Sequence, residues 1–286
     1  MNFTKVQGAG NDFILVETSE TSRNWSQLAV AMCDRHFGVG SDGLLLVSPS
    51  DKADFRMRMF NPDGSEAEAC GNGLRCSAKY VLDRGLTGSE AKEISAETAT
   101  GIMKIKFQKA GNRITSIHVG MGKPGFGADD IPVAIETGGE SIVDIKPILD
   151  YPLIVDGSEL LLSFVSMGNP HAVCFQQRPV ADFPLSKIGP KVEQHNMFPS
   201  RVNFEVANVI NRQEIEARVW ERGAGETLAC GSGACAVAVV AHLHDYINNG
   251  VDIKLPGGTL KVEWDGVGEV FLSGPTEIVF TGEWPD

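Results

Sequence analysis

The segment Glu66-Ala-Glu-Ala-Cys-Gly-Asn-Gly recurs 160 positions later as Glu226-Thr-Leu-Ala-Cys-Gly-Ser-Gly. A duplication at that distance is too long for a solenoid and points to two homologous halves. Other pairs agree with it. Ala9-Gly-Asn-Asp before FILVE parallels Met167-Gly-Asn-Pro before AVCF, an offset of 158. Phe60-Asn61 parallels Trp220-Glu221 at 160, and GIMKIKF from Gly101 parallels GTLKVEW from Gly258 at 157. The expected division is residues 1–128 and 129–274, with a Gly- and Pro-containing linker over 120–140.

Each half reads as strands around one helix. Period-2 alternation in FRMRMF (55–60), GIMKIKF (101–107), EIEARVW (214–220) and GTLKVEW (258–264) predicts half-buried strands. Their close spacing leaves little room for crossover helices, so the sheet is expected to be mainly antiparallel. Three helices are predicted: Ser26 to Phe37, Gly71 to about Gly85, and one from Gly231 through GACAVAVVAHLH. The last is apolar almost all round, which implies burial on every side. The predicted fold class is α/β (α+β), with two homologous halves, each a mainly antiparallel barrel-like sheet wrapped round a central helix and the active site in the cleft between them.

Composition narrows the function. A net charge of -12 argues against nucleic acid or an anionic membrane as partner. The longest apolar run, near Ala234 to Ala241, is too short to span a bilayer, and the first residues lack a secretory pattern. Six cysteines in such a chain read as free thiols, so a cytoplasmic location is expected.

Cys70 and Cys230 each precede a Gly-x-Gly that opens a predicted helix. Free N–H groups and the positive end of the helix dipole would favour a thiolate there, and they suit a carboxylate. Taken alone, a free cysteine is more often a buried small hydrophobe, which is the reading for Cys33, Cys76, Cys174 and Cys235. The spacings from Cys70 to Cys76 and from Cys230 to Cys235 are not zinc hooks, and no Cys-x-x-Cys is present, so no metal is expected. If the halves pack face to face, two opposed thiols can invert a stereocentre, one removing a proton and the other delivering one. Gly38-Val-Gly-Ser-Asp-Gly matches a dinucleotide fingerprint literally, but it follows a helix and precedes a strand, the reverse of the required context.

Six segments then resemble a known family: Gly8-Ala-Gly-Asn-Asp-Phe, Asn61-Pro-Asp-Gly-Ser-Glu, Ala69-Cys-Gly-Asn-Gly-Leu-Arg-Cys, Gly168-Asn-Pro-His, Arg201-Val-Asn-Phe and Glu221-Arg-Gly-Ala-Gly-Glu-Thr. Together, and over essentially the whole chain, they look like diaminopimelate epimerase. The resemblance implies interconversion of LL- and meso-2,6-diaminopimelate, in lysine and peptidoglycan precursor biosynthesis, with no pyridoxal phosphate or other cofactor. It implies Cys70 and Cys230 as the catalytic acid and base. It implies substrate binding by Asn11, Asn61, Asn169, Asn203, Glu221 and Arg222, with Gly71, Asn72, Gly231 and Ser232 cradling a carboxylate. His171 and Glu221 are the implied tuners of thiol ionisation. Relatives also suggest a homodimer, and a final strand, about 275–286, that returns to the first half. Gly43 stands where some relatives carry a substrate-contacting glutamine, so that contact is missing here. The alternatives are a proline or hydroxyproline racemase of the same fold, a noncatalytic amino-acid binder, and a thiol redox protein.

Overall fold

The computed structural model describes residues 1–285 except 21, 68–69, 88–91, 112, 128–129 and 135–146. Parts of the expected linker, and Ala69 beside Cys70, therefore lie outside the described residues. The chain forms two compact units, Met1–Gly120 with Ser273–Asp286, and Met121–Leu272.

The first unit begins with the antiparallel pair β1 (Asn2–Gly8) and β2 (Asn11–Glu17), followed by α1 (Trp25–Cys33). Next, β3 (Gly43–Ser48) pairs parallel to β2, and β4 (Phe55–Phe60) pairs antiparallel to β3. A two-residue strand, β5 (Glu66–Ala67), leads to α2 (Gly71–Asp83). The unit continues through β6 (Glu93–Thr98), β7 (Gly101–Ala110) and β8 (Arg113–Gly120) as an antiparallel meander.

All four residues Phe13 to Val16 are buried, because β2 is covered on both faces. Ile14 and Val16 join Trp25, Ala29 and Met32 of α1 in one apolar cluster. The opposite face meets α2, which packs against β1, β2, β3, β4 and β8. α1 is shorter than predicted. The Asp34 carboxylate accepts the N–H groups of His36 and Phe37 at 2.7 and 2.8 Å, a local turn that competes with a further helical turn. α2 stops where predicted, with Gly85 at φ +66°, a left-handed position that closes the helix without a Cβ penalty.

The second unit repeats this order. β9 (Tyr151–Val155), β10 (Ser158–Ser166) and β11 (Pro170–Phe175) run antiparallel in turn. After α3 (Leu185–Glu193), β12 (Asn203–Asn211) pairs parallel to β11, and β13 (Glu214–Glu221) pairs antiparallel to β12. A short strand, β14 (Gly225–Thr227), precedes α4 (Gly231–Leu243). β15 (Gly250–Leu255) and β16 (Gly258–Glu263) form the next hairpin, and the chain leaves through β17 (Phe271–Ser273). The last strand, β18 (Glu277–Glu283), pairs antiparallel with β1 in the first unit.

The parallel pairs β2–β3 and β4–β6 of the first unit correspond to β11–β12 and β13–β15 of the second. α4 packs against β10, β11, β12, β13, β15 and β16. Its residues Ala234 to Ala241 are all buried, as the absence of a polar stripe predicted. Small side chains let strands approach this helix from every side, and each fully buried valine contributes about 2 kcal/mol.

α3 was not among the predicted helices. Its signal is a short stripe, Leu185, Ile188 and Val192, hidden by Gly189 and Pro190. No helix among the described residues is long and apolar enough to cross a membrane.

Candidate active site

Both motif cysteines are helix N-caps. Cys70 has an extended backbone at the start of α2, and its sulfur accepts the Gly73 N–H at 3.3 Å. Cys230 does the same at the start of α4, accepting the Gly233 N–H at 3.3 Å. A side chain on either glycine would force a neighbouring side chain to shift. A Cβ on Gly73 would lie 2.9 Å from Leu45, and one on Gly233 would lie 2.9 Å from Glu205 Oε1. The glycines thus let each helix start press against the sheet, with first-turn N–H groups of Gly71, Asn72, Gly231 and Ser232 at the open end.

In the first unit a chain of amides and charges runs away from Cys70. Arg75 Nη2 donates to Asn72 Oδ1 at 2.9 Å, and Asn72 Nδ2 donates to Asn11 Oδ1 at 3.1 Å. Asn11 Nδ2 in turn donates to Asp42 Oδ2 at 2.7 Å. Each partner fixes which end of the next amide is the acceptor. Asp12 anchors the base of this group. Burial alone would raise its carboxyl, but Arg35 and Lys5 hold it below the usual range. Asn61 is separate from this group, in a turn where its Nδ2 donates to Ser65 Oγ at 2.9 Å. Gly43 opens β3, where an added Cβ would come 3.0 Å from the Phe60 carbonyl oxygen and from Met59 Cε. A side chain there would require Phe60 and Met59 to give by a few tenths of an ångström.

The second unit gathers more of the predicted residues. Asn169 Nδ2 donates to Ser232 Oγ at 3.4 Å, and Ser232 Oγ lies 3.5 Å from Cys230 Sγ. Asn169 Oδ1 lies 3.0 Å from His171 Nε2, and His171 Nδ1 lies 2.7 Å from Glu205 Oε1. Asn203 Nδ2 donates to the Pro170 carbonyl at 2.9 Å, while its Oδ1 accepts the Arg222 N–H at 3.0 Å. Thr227 Oγ1 donates to Glu221, and Arg222 Nη1 donates to the Ser200 carbonyl at 3.1 Å.

The electrostatics correct one expectation. A helix start was expected to lower the thiol pKa, yet Cys230 is pushed well above the ordinary thiol value. Burial is the larger cause, followed by the negative charge of Glu221. The bonds from Ser232 and Gly233 act in the predicted direction but are outweighed. Among the other thiols, burial raises Cys76 to about 12 and Cys174 to about 11. With Cys33 and Cys235 they are buried as core residues, as predicted.

Against this geometry, the family model for diaminopimelate epimerase matches residues 3–127 and 163–279. That is most of both units. The chain belongs to the diaminopimelate epimerase family. It is 47% identical to a diaminopimelate epimerase of Acetivibrio thermocellus over 285 residues, covering 99% of this chain and 98% of that one. As a diaminopimelate epimerase family member it is an enzyme of the isomerase class. Two solved structures share the fold at low identity. One is a Bacillus anthracis phenazine biosynthesis protein of the PhzF family, with a TM-score of 0.71, 18% identity and coverage of 100% and 99% of the two chains. The other is a probable proline racemase of Agrobacterium radiobacter, with a TM-score of 0.69, 14% identity and coverage of 99% and 92%. At such identities they speak for the fold alone. No group of three His, Cys, Asp or Glu side chains among the described residues could hold a metal ion.

Two polar groups of this diaminopimelate epimerase family member carry no sequence prediction. Glu205 is fully buried beside the start of α4, and burial holds its carboxyl above the usual range against the pull of His171. Glu193, at the end of α3, is also almost fully buried and touches both flanks of Glu221–Arg222. A charged residue at a buried strand register was the available signal for Glu205. In NFEVAN the period-2 pattern puts Asn203, Glu205 and Ala207 on one face. Glu193 had no such signal, because its helix went unrecognised.

Proposed function

We propose that this chain interconverts LL- and meso-2,6-diaminopimelate by a two-base mechanism in which Cys70 and Cys230 serve opposite faces of one α-carbon. The observation that carries the proposal is the shared build of the two sites. Each thiol caps a buried helix and sits beside first-turn N–H groups that can hold the carboxylate of the reacting centre. One sulfur, as thiolate, removes the α-hydrogen as a proton. The electron pair left on carbon is stabilised through the carboxylate by the two helix starts. The opposing thiol then delivers its own proton to the other face, so the enzyme ends with the roles of the two sulfurs exchanged. No cofactor enters this scheme.

Burial, and after it the charge of Glu221, raises the Cys230 thiol and supports its resting state as the protonated partner. The remaining predicted residues serve the distal amino-carboxylate, which is held while chemistry occurs at the other end. Arg222 offers a planar cation for carboxylate recognition. Asn11, Asn61, Asn169 and Asn203 offer both donors and acceptors. A proline-type racemase has no distal charged group to hold, so the Glu221–Arg222 pair disfavours it. The family resemblance supports a place in lysine and peptidoglycan precursor biosynthesis and a homodimeric state. The net charge of -12 supports a small molecule rather than nucleic acid as partner, and six free thiols support a reducing, cytoplasmic setting.

The test is incubation of the reduced enzyme with LL-diaminopimelate in deuterated water, followed by NMR. Deuterium should enter one α-carbon as the meso isomer forms. Full retention of the α-hydrogens would rule the proposal out.

A further inference from the structure

Glu193 is 4% exposed, and both of its carboxylate oxygens are engaged. Oε2 accepts the indole N–H of Trp220 at 2.8 Å, and Oε1 accepts the backbone N–H of Gly223 at 2.9 Å. Arg201 Nη1 lies 3.6 Å from Oε1 and offsets the buried charge. Trp220 and Gly223 are the two residues that flank Glu221–Arg222. The four residues Glu221 to Ala224 make a tight turn, closed by the Ala224 N–H on the Glu221 carbonyl at 3.1 Å. Gly223 sits at φ +79° in that turn, with no atom within 4 Å of an added Cβ, so the backbone conformation is what demands glycine.

A turn on the surface is ordinarily free to breathe, but this one is fastened from outside. Asn203 Oδ1 holds the Arg222 N–H, Glu193 Oε1 holds the next N–H along the chain, and the Ser200 carbonyl holds the Arg222 side chain. Gly189 makes the clamp feasible. A Cβ there would come 2.6 Å from Trp220, so only glycine lets α3 lie flush on the indole that Glu193 grips.

We infer that Glu193 is a positioning residue that fixes the Glu221–Arg222 turn and thereby sets the grip on the distal amino-carboxylate of the substrate. The inference rests on the epimerase function proposed above. Both partners of Glu193 are donors, an indole N–H and a peptide N–H, so only a carboxylate supplies two acceptors. A glutamine of the same shape would turn its NH2 toward one of them and leave that donor unpaired. The turn then loosens while the cysteines, placed by the start of α4 and by the first unit, keep their own caps.

The experiment compares the wild-type enzyme with Glu193→Gln. KM for diaminopimelate should rise roughly tenfold to hundredfold, the loss of one hydrogen bond to a charged group, with kcat changed less than about threefold. The alkylation rate of Cys70 by iodoacetamide, whose cap on α2 belongs to the first unit and needs no distal grip, should stay at the wild-type value. A wild-type KM, or a KM and an alkylation rate that shift together, would overturn the inference. A measurement on the wild-type enzyme covers a variant that fails to fold: the Trp220 indole proton, assigned by its loss in Trp220→Phe, should exchange slowly with solvent. Fast exchange of that proton in an enzyme that turns over diaminopimelate sinks the role of Glu193. Absence of α-hydrogen exchange in the wild-type enzyme sinks the epimerase function instead, and the indole exchange rate then decides by itself whether the clamp exists.

Discussion

Glu205 Oε1 lies 2.7 Å from His171 Nδ1, and neither side chain has any exposure to solvent. The pair lies on the α4-facing side of β11 and β12, against the turn that carries Cys230. Its far end holds Asn169 Oδ1 to His171 Nε2, which turns the Asn169 amide nitrogen toward Ser232. A polar group buried in such a place is sustained by its partner, and removing one partner leaves the other without a hydrogen bond.

Glu205→Ala should therefore destabilise the fold by about 2 kcal/mol, read from urea unfolding. His171→Ala should cost a similar amount. The double variant should cost less than the sum, giving a coupling energy of about 1 kcal/mol or more. Strict additivity would show that the two side chains do not depend on one another.

Cys70→Ser and Cys230→Ser separate capping from chemistry. Serine is a favoured N-cap, so each variant should unfold at a temperature close to that of the parent. Epimerisation should nevertheless fall by roughly a hundredfold to ten-thousandfold, because a hydroxyl is a far poorer proton donor and acceptor at neutral pH. A serine variant with near-parental turnover would remove that cysteine from the mechanism.

Buried thiols give the fold an alkaline limit. The folded-state pKa of Cys76 is raised from 9.0 to about 12 and that of Cys174 from 9.0 to about 11, both by burial. Above the ordinary thiol value the unfolded chain loses these protons while the folded chain keeps them. Stability is thus fully present below pH 9.0 and declines as pH rises toward the folded-state values. The slope should approach about 1.4 kcal/mol per pH unit for each thiol. Urea midpoints measured across this range should fall, and the fall should be shallower in a Cys76→Ala, Cys174→Ala double variant. Equal slopes in parent and variant would assign the alkaline limit to other groups.

Gly189→Ala probes the contact between α3 and Trp220. The new methyl would sit 2.6 Å from the indole ring atoms Cγ and Cδ2, so α3 must shift. The expected loss is about 1 to 3 kcal/mol, as for other over-packed sites, against the small gain an alanine usually gives a helix. A variant as stable as the parent would mean that α3 has room to move.

The sequence by itself determined the parts whose signal is local. A cysteine before Gly-x-Gly at a helix start, an all-apolar helix from Gly231, and strands with clean period-2 alternation all appear where short-range pattern placed them. So does the division of labour among the six thiols, with two at helix starts and four in the core. Only the tertiary structure decided what surrounds those parts. α3 was missed because its Gly189 and Pro190 are poor helix formers, and its apolar stripe has meaning only once β12, β13 and β14 cover it. Glu193 and Glu205 reach partners 30 and 34 positions away, so nothing adjacent to them in the chain announces a clamp or a dyad. The ionisation of Cys230 reversed the local expectation for the same reason. A helix dipole acts from the first turn, whereas desolvation sums over every neighbour that excludes water, and that sum exists only in the folded chain.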